Sequence, residues 1–80
     1  GSPKEELIRR VLEEVKRLNE KLLEIIRRAA ELVKRANDEL PETEKLREID
    51  RELEKKLKEI EDELRRIDKE LDDALYEIED

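Results

Sequence analysis

Residues 37–41 read NDELP and contain the only break signal in a chain of 80 residues. Asn37 tolerates the left-handed conformation in which helices often end. Leu40 is pushed toward extended geometry because Pro41 follows it. A connection of about four residues normally joins antiparallel neighbours, so this segment predicts a tight turn between two helices.

Good helix-forming residues run unbroken on both sides of this turn, and Ser2 before a proline is a favourable helix start. We predict helix 1 over residues 3–37, a turn over 38–41 and helix 2 over 42–79. Residues 1–2, Gly-Ser, look like the scar of a cleaved expression tag. The predicted fold is all-α: a single domain, an antiparallel two-helix hairpin that assembles into an oligomeric helical bundle.

The composition is typical of long helices rather than of an ordinary globular core. Charged residues make up 56% of the chain, with one Tyr as the sole aromatic residue, one Gly and two Pro. Cys and His are absent, which removes disulfides, thiolate nucleophiles and the commonest transition-metal ligand. We therefore expect no enzyme activity, no catalytic, metal or cofactor-binding residue, and no small-molecule ligand.

The net charge of -7 is divided unevenly between the two helices. Residues 4–38 carry ten Lys/Arg against eight Asp/Glu, and residues 39–80 carry nine against eighteen, so the second half has a net charge of -9. An acidic total without an aromatic platform argues against a nucleic-acid partner. The longest uncharged run is too short for a membrane span or a signal segment. We expect a soluble recombinant product of the cytoplasm, with an unknown cellular location.

The two helices differ in the width of their apolar surfaces when residues are placed at about 100° per position. In helix 2 the apolar residues fall within about 80°, which suits one neighbouring helix, and we assign them to the hairpin seam: Leu46, Ile49, Leu53, Leu57, Ile60, Leu64, Ile67, Leu71, Leu75 and Ile78. In helix 1 an apolar arc that begins at Leu7 spans roughly 180°, which requires several neighbours. From it we assign an oligomer interface: Ile8, Val11, Leu12, Val15, Leu18, Asn19, Leu22, Leu23, Ile25, Ile26, Ala29, Ala30, Leu32, Val33 and Ala36. We expect an inner helix 1 and an outer helix 2.

The apolar pattern repeats every 18 residues. Leu53 is matched by Leu71, and REIDREL at 47–53 recurs as RRIDKEL at 65–71. Heptad spacing fails at several positions. Eighteen residues in five turns is the undistorted helical period, so the pattern predicts nearly straight helices.

Charged residues border both apolar surfaces. On helix 1 one border is basic through Arg9, Lys16, Arg27 and Lys34, and the other through Arg10, Arg17, Lys21, Arg28 and Arg35. On helix 2 one flank of the stripe is wholly acidic: Asp50, Glu54, Glu61, Asp68, Asp72 and Glu79. Basic borders that meet acidic borders set orientation and partner choice in coiled coils.

These features together resemble those of computationally designed helical hairpins that assemble into multi-helix bundles. The resemblance covers the whole chain: the Gly-Ser scar, the restricted alphabet, the 18-residue repeat, one short turn and a single polar residue in an apolar face. Members of this class are homodimers, homotrimers or orthogonal heterodimers, often specified by buried hydrogen-bond networks. The resemblance implies an assembly module without catalysis.

Asn19 lies inside the apolar arc, in the stretch EVKRLNEKLLEI at 14–25, where the pattern calls for Leu, Ile or Val. One interpretation is a solvated Asn where the wide face borders water. The other is a buried specificity device, because an unpaired buried amide costs about 1–3 kcal/mol and only registers that pair it stay competitive. Its partner is then Asn19 of another chain, or a residue of helix 2. A hairpin folded near residue 39 brings Lys56, Glu59 and Glu63 to its height.

The sequence disfavours two other functions, a metal or acid/base site and a membrane-surface helix. The carboxylate runs 61–63 and 72–73 suggest a metal or acid/base site, but they have no His companion, calcium-loop Gly or apolar pocket, which favours a solvated helix face. Helix 1 alone resembles a membrane-surface helix, yet it has no Trp or Phe and is tethered to an acidic helix.

The remaining choice concerns the partner. We favour self-assembly into a homo-oligomer, with a trimer of six helices first and a dimer next, because the charged borders are complementary within one sequence. The alternative is one half of a heterodimer with a second helical hairpin, which the net charge of -9 on residues 39–80 favours.

Overall fold

The computed structural model describes residues 1–39 and 43–78, with the side chains of residues 1–38 and 43–78. Two helices make up nearly all of it: α1, Pro3–Glu39, and α2, Glu44–Ile78. No strand occurs in these residues, and the helices contact only each other. The predicted all-α helical hairpin is confirmed.

Hydrogen bonds near both ends of the hairpin define its antiparallel arrangement. Arg9 Nη2 donates to the carbonyl oxygen of Ile78 at 3.2 Å, and Asn37 Nδ2 donates to Glu54 Oε1 at 3.2 Å. The Cα atoms extend over 60 × 15 × 14 Å. A straight helix as long as α1 measures about 55 Å at 1.5 Å per residue, so the long dimension matches nearly straight helices.

Ser2 is the N-cap of α1. Ser2 Oγ accepts a hydrogen bond from the Glu5 backbone N–H at 3.1 Å and donates to Glu5 Oε1 at 3.3 Å. The Ser2 carbonyl accepts the first helical bond, from Glu6 N–H at 3.0 Å. The bond from the Glu5 N–H satisfies a backbone donor that a helix start otherwise leaves unpaired. Ser2 therefore stabilises the helix even if residues 1–2 derive from a tag.

On the turn side both helix boundaries differ from the predicted ones. α1 continues to Glu39, two residues past its predicted end at 37, so Asp38 is helical and not part of a turn. No described residue other than Gly has a positive φ, so Asn37 does not act as a left-handed stop. Its side chain instead bonds Glu54 across the hairpin, and helical geometry is what places it there.

The first turn of α2 is capped by Thr43 and does not begin at residue 42. Thr43 Oγ1 accepts from the Leu46 N–H at 3.3 Å, and the Thr43 carbonyl accepts from the Arg47 N–H at 3.1 Å. Threonine is a preferred N-cap because its hydroxyl satisfies such a donor. The predicted roles of Leu40 and Pro41, and the predicted end at 79, lie outside the described residues.

Only three side chains are buried in the described part of this hairpin. Asn19 is 4% exposed, Leu64 8% and Leu23 9%. Two helices enclose one seam, and one seam shields only the side chains at its centre. Twelve large aliphatic side chains among the described residues therefore stay exposed in the single chain.

Candidate assembly surface

Asn19 lies at the centre of the seam between α1 and α2. Its Nδ2 donates to the backbone carbonyl of Leu64 at 2.9 Å. The hydrogen-bond partner is thus a main-chain group of the same chain, 45 residues away in sequence. Of the three residues expected at the height of Asn19, Glu63 is next to Leu64 in sequence, whereas Lys56 and Glu59 lie closer to the turn. The difference arises because α1 ends and α2 begins later in the chain than a hairpin folded near residue 39 implies.

Around Asn19, residues from both predicted sets meet at the seam. From the predicted oligomer interface, the buried or half-buried residues are Leu12, Leu23, Ile26, Ala29 and Val33. From the predicted seam they are Leu57, Leu64, Ile67, Leu71, Leu75 and Ile78. Part of the broad arc of α1 is therefore occupied by its own α2, which leaves a narrower arc open to partners.

The rest of the apolar residues form an exposed surface, which we call the apolar face. On α1 it comprises Leu7, Ile8, Val11, Val15, Leu18, Leu22, Ile25 and Leu32, with exposures from 40% to 62%. On α2 it comprises Leu46, Ile49, Leu53 and Ile60, with exposures from 44% to 51%. Ala30 and Ala36, both assigned to the interface, are exposed as well. Twelve half-exposed aliphatic side chains leave about 9–18 kcal/mol of transfer free energy unrealised, at 1.5–3 kcal/mol for each full burial.

Both parts of the apolar face lie on the same side of the hairpin. Residues of α1 are placed at about 100° per position. The exposed residues are then centred about 90° from the seam in one direction, and Lys16 lies about 50° from the seam in the opposite direction. Around α2, Ile49, Leu53 and Ile60 lie on the opposite side of Leu64 from Asp68, and Leu46 lies in line with Leu64. Lys16 pairs with Asp68 across the seam at 4.0 Å, so this ion pair marks the back of both helices. The apolar sets share the front.

The back of the seam is closed by charges. Lys16 Nζ also forms an ion pair and hydrogen bond with Asp72, which raises the pKa of Lys16 above its ordinary value. Partial desolvation opposes this shift, and the charges of Asp68, Asp72 and Glu20 add to it. One predicted basic border of α1 thus meets the predicted acidic flank of α2 within one chain.

Glu61 belongs to the same acidic flank. Arg65 donates to Glu61 Oε1 from Nη2 at 2.7 Å and from Nε at 3.1 Å. This hydrogen bonding lowers the pKa of Glu61 against a partial desolvation that raises it, and the charges of Arg65, Lys58 and Arg27 lower it further. Arg27 belongs to the basic border of α1 that contains Lys16, so its charge acts on the acidic flank of α2 nearer the turn.

Arg9 binds the C-terminal end of α2, which is acidic. Its Nη2 donates to the Ile78 carbonyl, one of the last backbone acceptors of the helix, and its Nη1 pairs with Glu6 at 3.3 Å. A cation at a helix C-terminus interacts favourably with the helix dipole. Its Nε is buried without a partner among the described residues. Part of the unfavourable charge at the end of α2 is therefore compensated inside the hairpin.

Sequence reasoning missed two parts of this surface. Leu7, left out of the interface set, is 62% exposed on the apolar face; its 18-residue match to Ile25 was the available signal. The four exposed residues of α2 were assigned to the seam. Each of them has the same angular position as a residue 18 places further along α2 that is buried or half-buried: Leu64, Ile67, Leu71 and Ile78. The four exposed residues lie nearer the turn, so their position along α2, and not around it, distinguishes them.

The described residues contain no group of three or more acidic, His or Cys side chains placed to hold a metal ion. An open groove on the back, near the turn, is lined by side chains of both charge signs, among them Lys34, Glu54, Lys58 and Glu61. Across the residues with described positions, neither helix is apolar enough over a sufficient length to cross a membrane.

Comparison of the chain with protein-family models, with curated proteins and with solved structures finds no match.

Proposed function

We propose that this chain is a designed structural module that assembles with copies of itself into a helical bundle. The observation that carries the proposal is the apolar face, with twelve aliphatic side chains exposed on one side of the hairpin. Monomeric soluble proteins rarely keep a contiguous apolar patch of more than a few hundred Å² in water. Partner helices that cover this side would recover the burial that the single hairpin lacks.

The distribution of the apolar face supports an inner α1 and an outer α2. Eight of its twelve side chains lie on α1, and only four lie on α2. A ring that turns the richer helix toward its axis buries most of this surface, and three hairpins are the simplest such ring. A dimer is the next arrangement, and it covers the same face with one partner.

A pair of matched variants tests the proposal. Leu18 is 59% exposed on the apolar face, and Tyr76 is 80% exposed on α2 outside it. Leu18→Glu places a carboxylate where partner helices would exclude water, which costs several kcal/mol, whereas Tyr76→Glu stays in solvent. Native mass spectrometry should then show a discrete multimer for the unchanged protein and for Tyr76→Glu, and the 9.7 kDa monomer for Leu18→Glu. Equal masses for both variants would contradict the proposal.

A heterodimer with a different helical hairpin is the second candidate. Residues 39–80 carry a net charge of -9, of which Arg9 and Lys16 compensate only part within the chain. A basic partner hairpin would compensate the remainder. The outcome that favours it is a monomer or a polydisperse mixture that becomes one discrete species only when such a hairpin is added.

A further inference from the structure

The apolar face has a basic outer border on α1. Five exposed cations line it, within about 40° around the helix, on the side away from the seam: Arg10, Arg17, Lys21, Arg28 and Arg35. Arg17 pairs with Glu14 on its own helix. The other four form no ion pair or hydrogen bond with any residue whose side chain the structure describes. This border is therefore available to a partner.

The opposite outer border, on α2, is mostly acidic. Five exposed glutamates line it, about 90–150° from Leu64 and away from the back: Glu52, Glu59, Glu63, Glu70 and Glu77. They form a different row from the acids that face Lys16. Lys56 pairs with Glu52 and Glu59, and Arg66 pairs with Glu63. Within the described side chains, Glu70 and Glu77 have no such partner.

The register of the hairpin relates the two borders in height. Three hydrogen bonds cross the seam at different heights: Asn19 to Leu64, Arg9 to Ile78 and Asn37 to Glu54. The numbers of the bonded residues add up to between 83 and 91. Arg10 therefore lies within about four residues of the height of Glu77, and Arg17 within about four residues of the height of Glu70, which is about 6 Å along the helix axis.

Arg28 lies within about four residues of the height of Glu59 in the same way. Rotation about an axis parallel to the helices carries one copy onto the next without moving any residue along that axis. Such a rotation places the basic border of one copy beside the acidic border of its neighbour at the heights given above. A two-fold axis perpendicular to the helices and in the plane of the apolar face instead places α1 over α1, and like charges then meet.

We propose that the copies run in the same direction around an axis parallel to their helices, with the basic border of each α1 against the acidic border of the next copy's α2. This inference rests on the proposed self-assembly and adds the orientation of the partner. Rim charges of this kind select orientation and partner more than they add affinity. The arrangement holds for a trimer and for a parallel dimer.

Charge reversal separates this arrangement from the antiparallel one. The first variant reverses the basic border with Arg10→Glu, Arg17→Glu and Arg28→Glu. The second reverses the acidic border with Glu63→Lys, Glu70→Lys and Glu77→Lys. At low salt, each alone should raise the concentration for half-assembly about tenfold, since three contacts at about 0.5 kcal/mol add up to that factor. A chain with both sets reversed should regain the original value.

Net charge provides an internal control. The second variant has a net charge of only -1, six units above the original -7, so general repulsion predicts that it assembles better than the unchanged protein. The proposed border contact predicts that it assembles worse. Circular dichroism verifies that each variant stays helical, and about 0.5 M salt should reduce the differences by screening.

A nitroxide attached through Tyr76→Cys reports chain direction independently of these variants, because Tyr76 is exposed outside the apolar face. Parallel copies hold the labels at one height, and antiparallel copies separate them by about 40 Å along the axis alone. A multimer whose labels are about 40 Å apart along the axis would overturn the parallel orientation but not self-assembly. An unchanged half-assembly concentration in the second variant would have the same meaning. An unchanged protein that stays monomeric at all concentrations would overturn both.

Discussion

The back and the front of this hairpin use the same two helices in different ways. On the back, Lys16 reaches Asp68 and Asp72, and Arg9 reaches the carboxyl end of α2. On the front, aliphatic side chains from Leu7 to Ile60 stay about half exposed. The chain thus pairs charges across the seam on one side and leaves apolar side chains unburied on the other.

One chain forms the ion pairs of the back by itself, whereas burial of the apolar front requires further chains. Exposed ion pairs contribute less than about 1 kcal/mol each, so the charged back orients the helices more than it holds them together. Apolar burial is the dominant favourable term in folding, and here much of it remains to be gained on the front. The predictions below test whether the two sides differ in solution as they do in the single chain.

The largest effect is expected from truncating leucines in the seam and on the front. Leu23→Ala removes a side chain that is 9% exposed and should lower the free energy of unfolding by about 2–4 kcal/mol. Leu18→Ala makes the same chemical change at a side chain 59% exposed in the single hairpin. If other copies bury the front, the loss of unfolding free energy caused by Leu18→Ala should approach that caused by Leu23→Ala. Urea unfolding followed by circular dichroism gives both values.

Protein concentration is the control for this pair. The cost of Leu18→Ala should grow with concentration, because the lost contacts lie between chains, whereas the cost of Leu23→Ala arises within each chain. A cost for Leu18→Ala below about 0.5 kcal/mol at every concentration is what a solvated surface site gives. That result would mean that the front stays in water.

A smaller effect is expected at Asn19. Its bond to the Leu64 carbonyl contributes about 0.5–1.5 kcal/mol net, and a buried leucine in its place gains about 1.5–3 kcal/mol. Asn19→Leu should therefore keep or raise the melting temperature. Without the amide, neighbouring registers of the seam are less strongly excluded, and the masses in native mass spectrometry should spread.

Asn37→Leu is the matched control, because Asn37 bonds an exposed side chain near the turn and not the centre of the seam. It should leave the mass distribution unchanged. An Asn19→Leu variant that is markedly less stable, and still has one mass, would make Asn19 a structural bond without a role in selection.

The smallest effect is the pH dependence from Glu61 on the back. Its pKa is lowered in the folded chain, mainly by the Arg65 hydrogen bonds, so its stabilisation is present above its ordinary value of 4.5 and is lost as the pH falls through the folded value. Glu61→Gln should melt below the unchanged protein at pH 7, with a difference that shrinks below pH 4. A difference that stays constant with pH would contradict this assignment.

The fold could be predicted because its signals are local. NDELP is the one break in two long helical runs, and the apolar period and the Ser2 start predict the helices around it. The boundaries beside the turn were less accurate, because Asn37 has a side-chain partner in Glu54 that favours continuing α1. Such a partner comes from the other helix and is invisible in a single helical pattern.

The site was predictable in part for the same reason. The position of Asn19 inside an apolar arc predicted that its environment was unusual, but its partner is a backbone carbonyl, and every residue carries one. The exposure of Ile49 and Ile60 depends on how far α1 covers the stripe of α2, which only the packed pair defines. The relative heights of the acidic row from Glu52 to Glu77 and the basic border of α1 could not be predicted, because they depend on the register of the seam.

The mass of the unchanged protein across a dilution series, measured by light scattering, tests the central claim most directly. We expect one discrete multiple of 9.7 kDa, with three chains favoured over two, that persists until dilution dissociates it. A particle of 9.7 kDa at every concentration would contradict it, because the apolar face would then be stable in water without a partner.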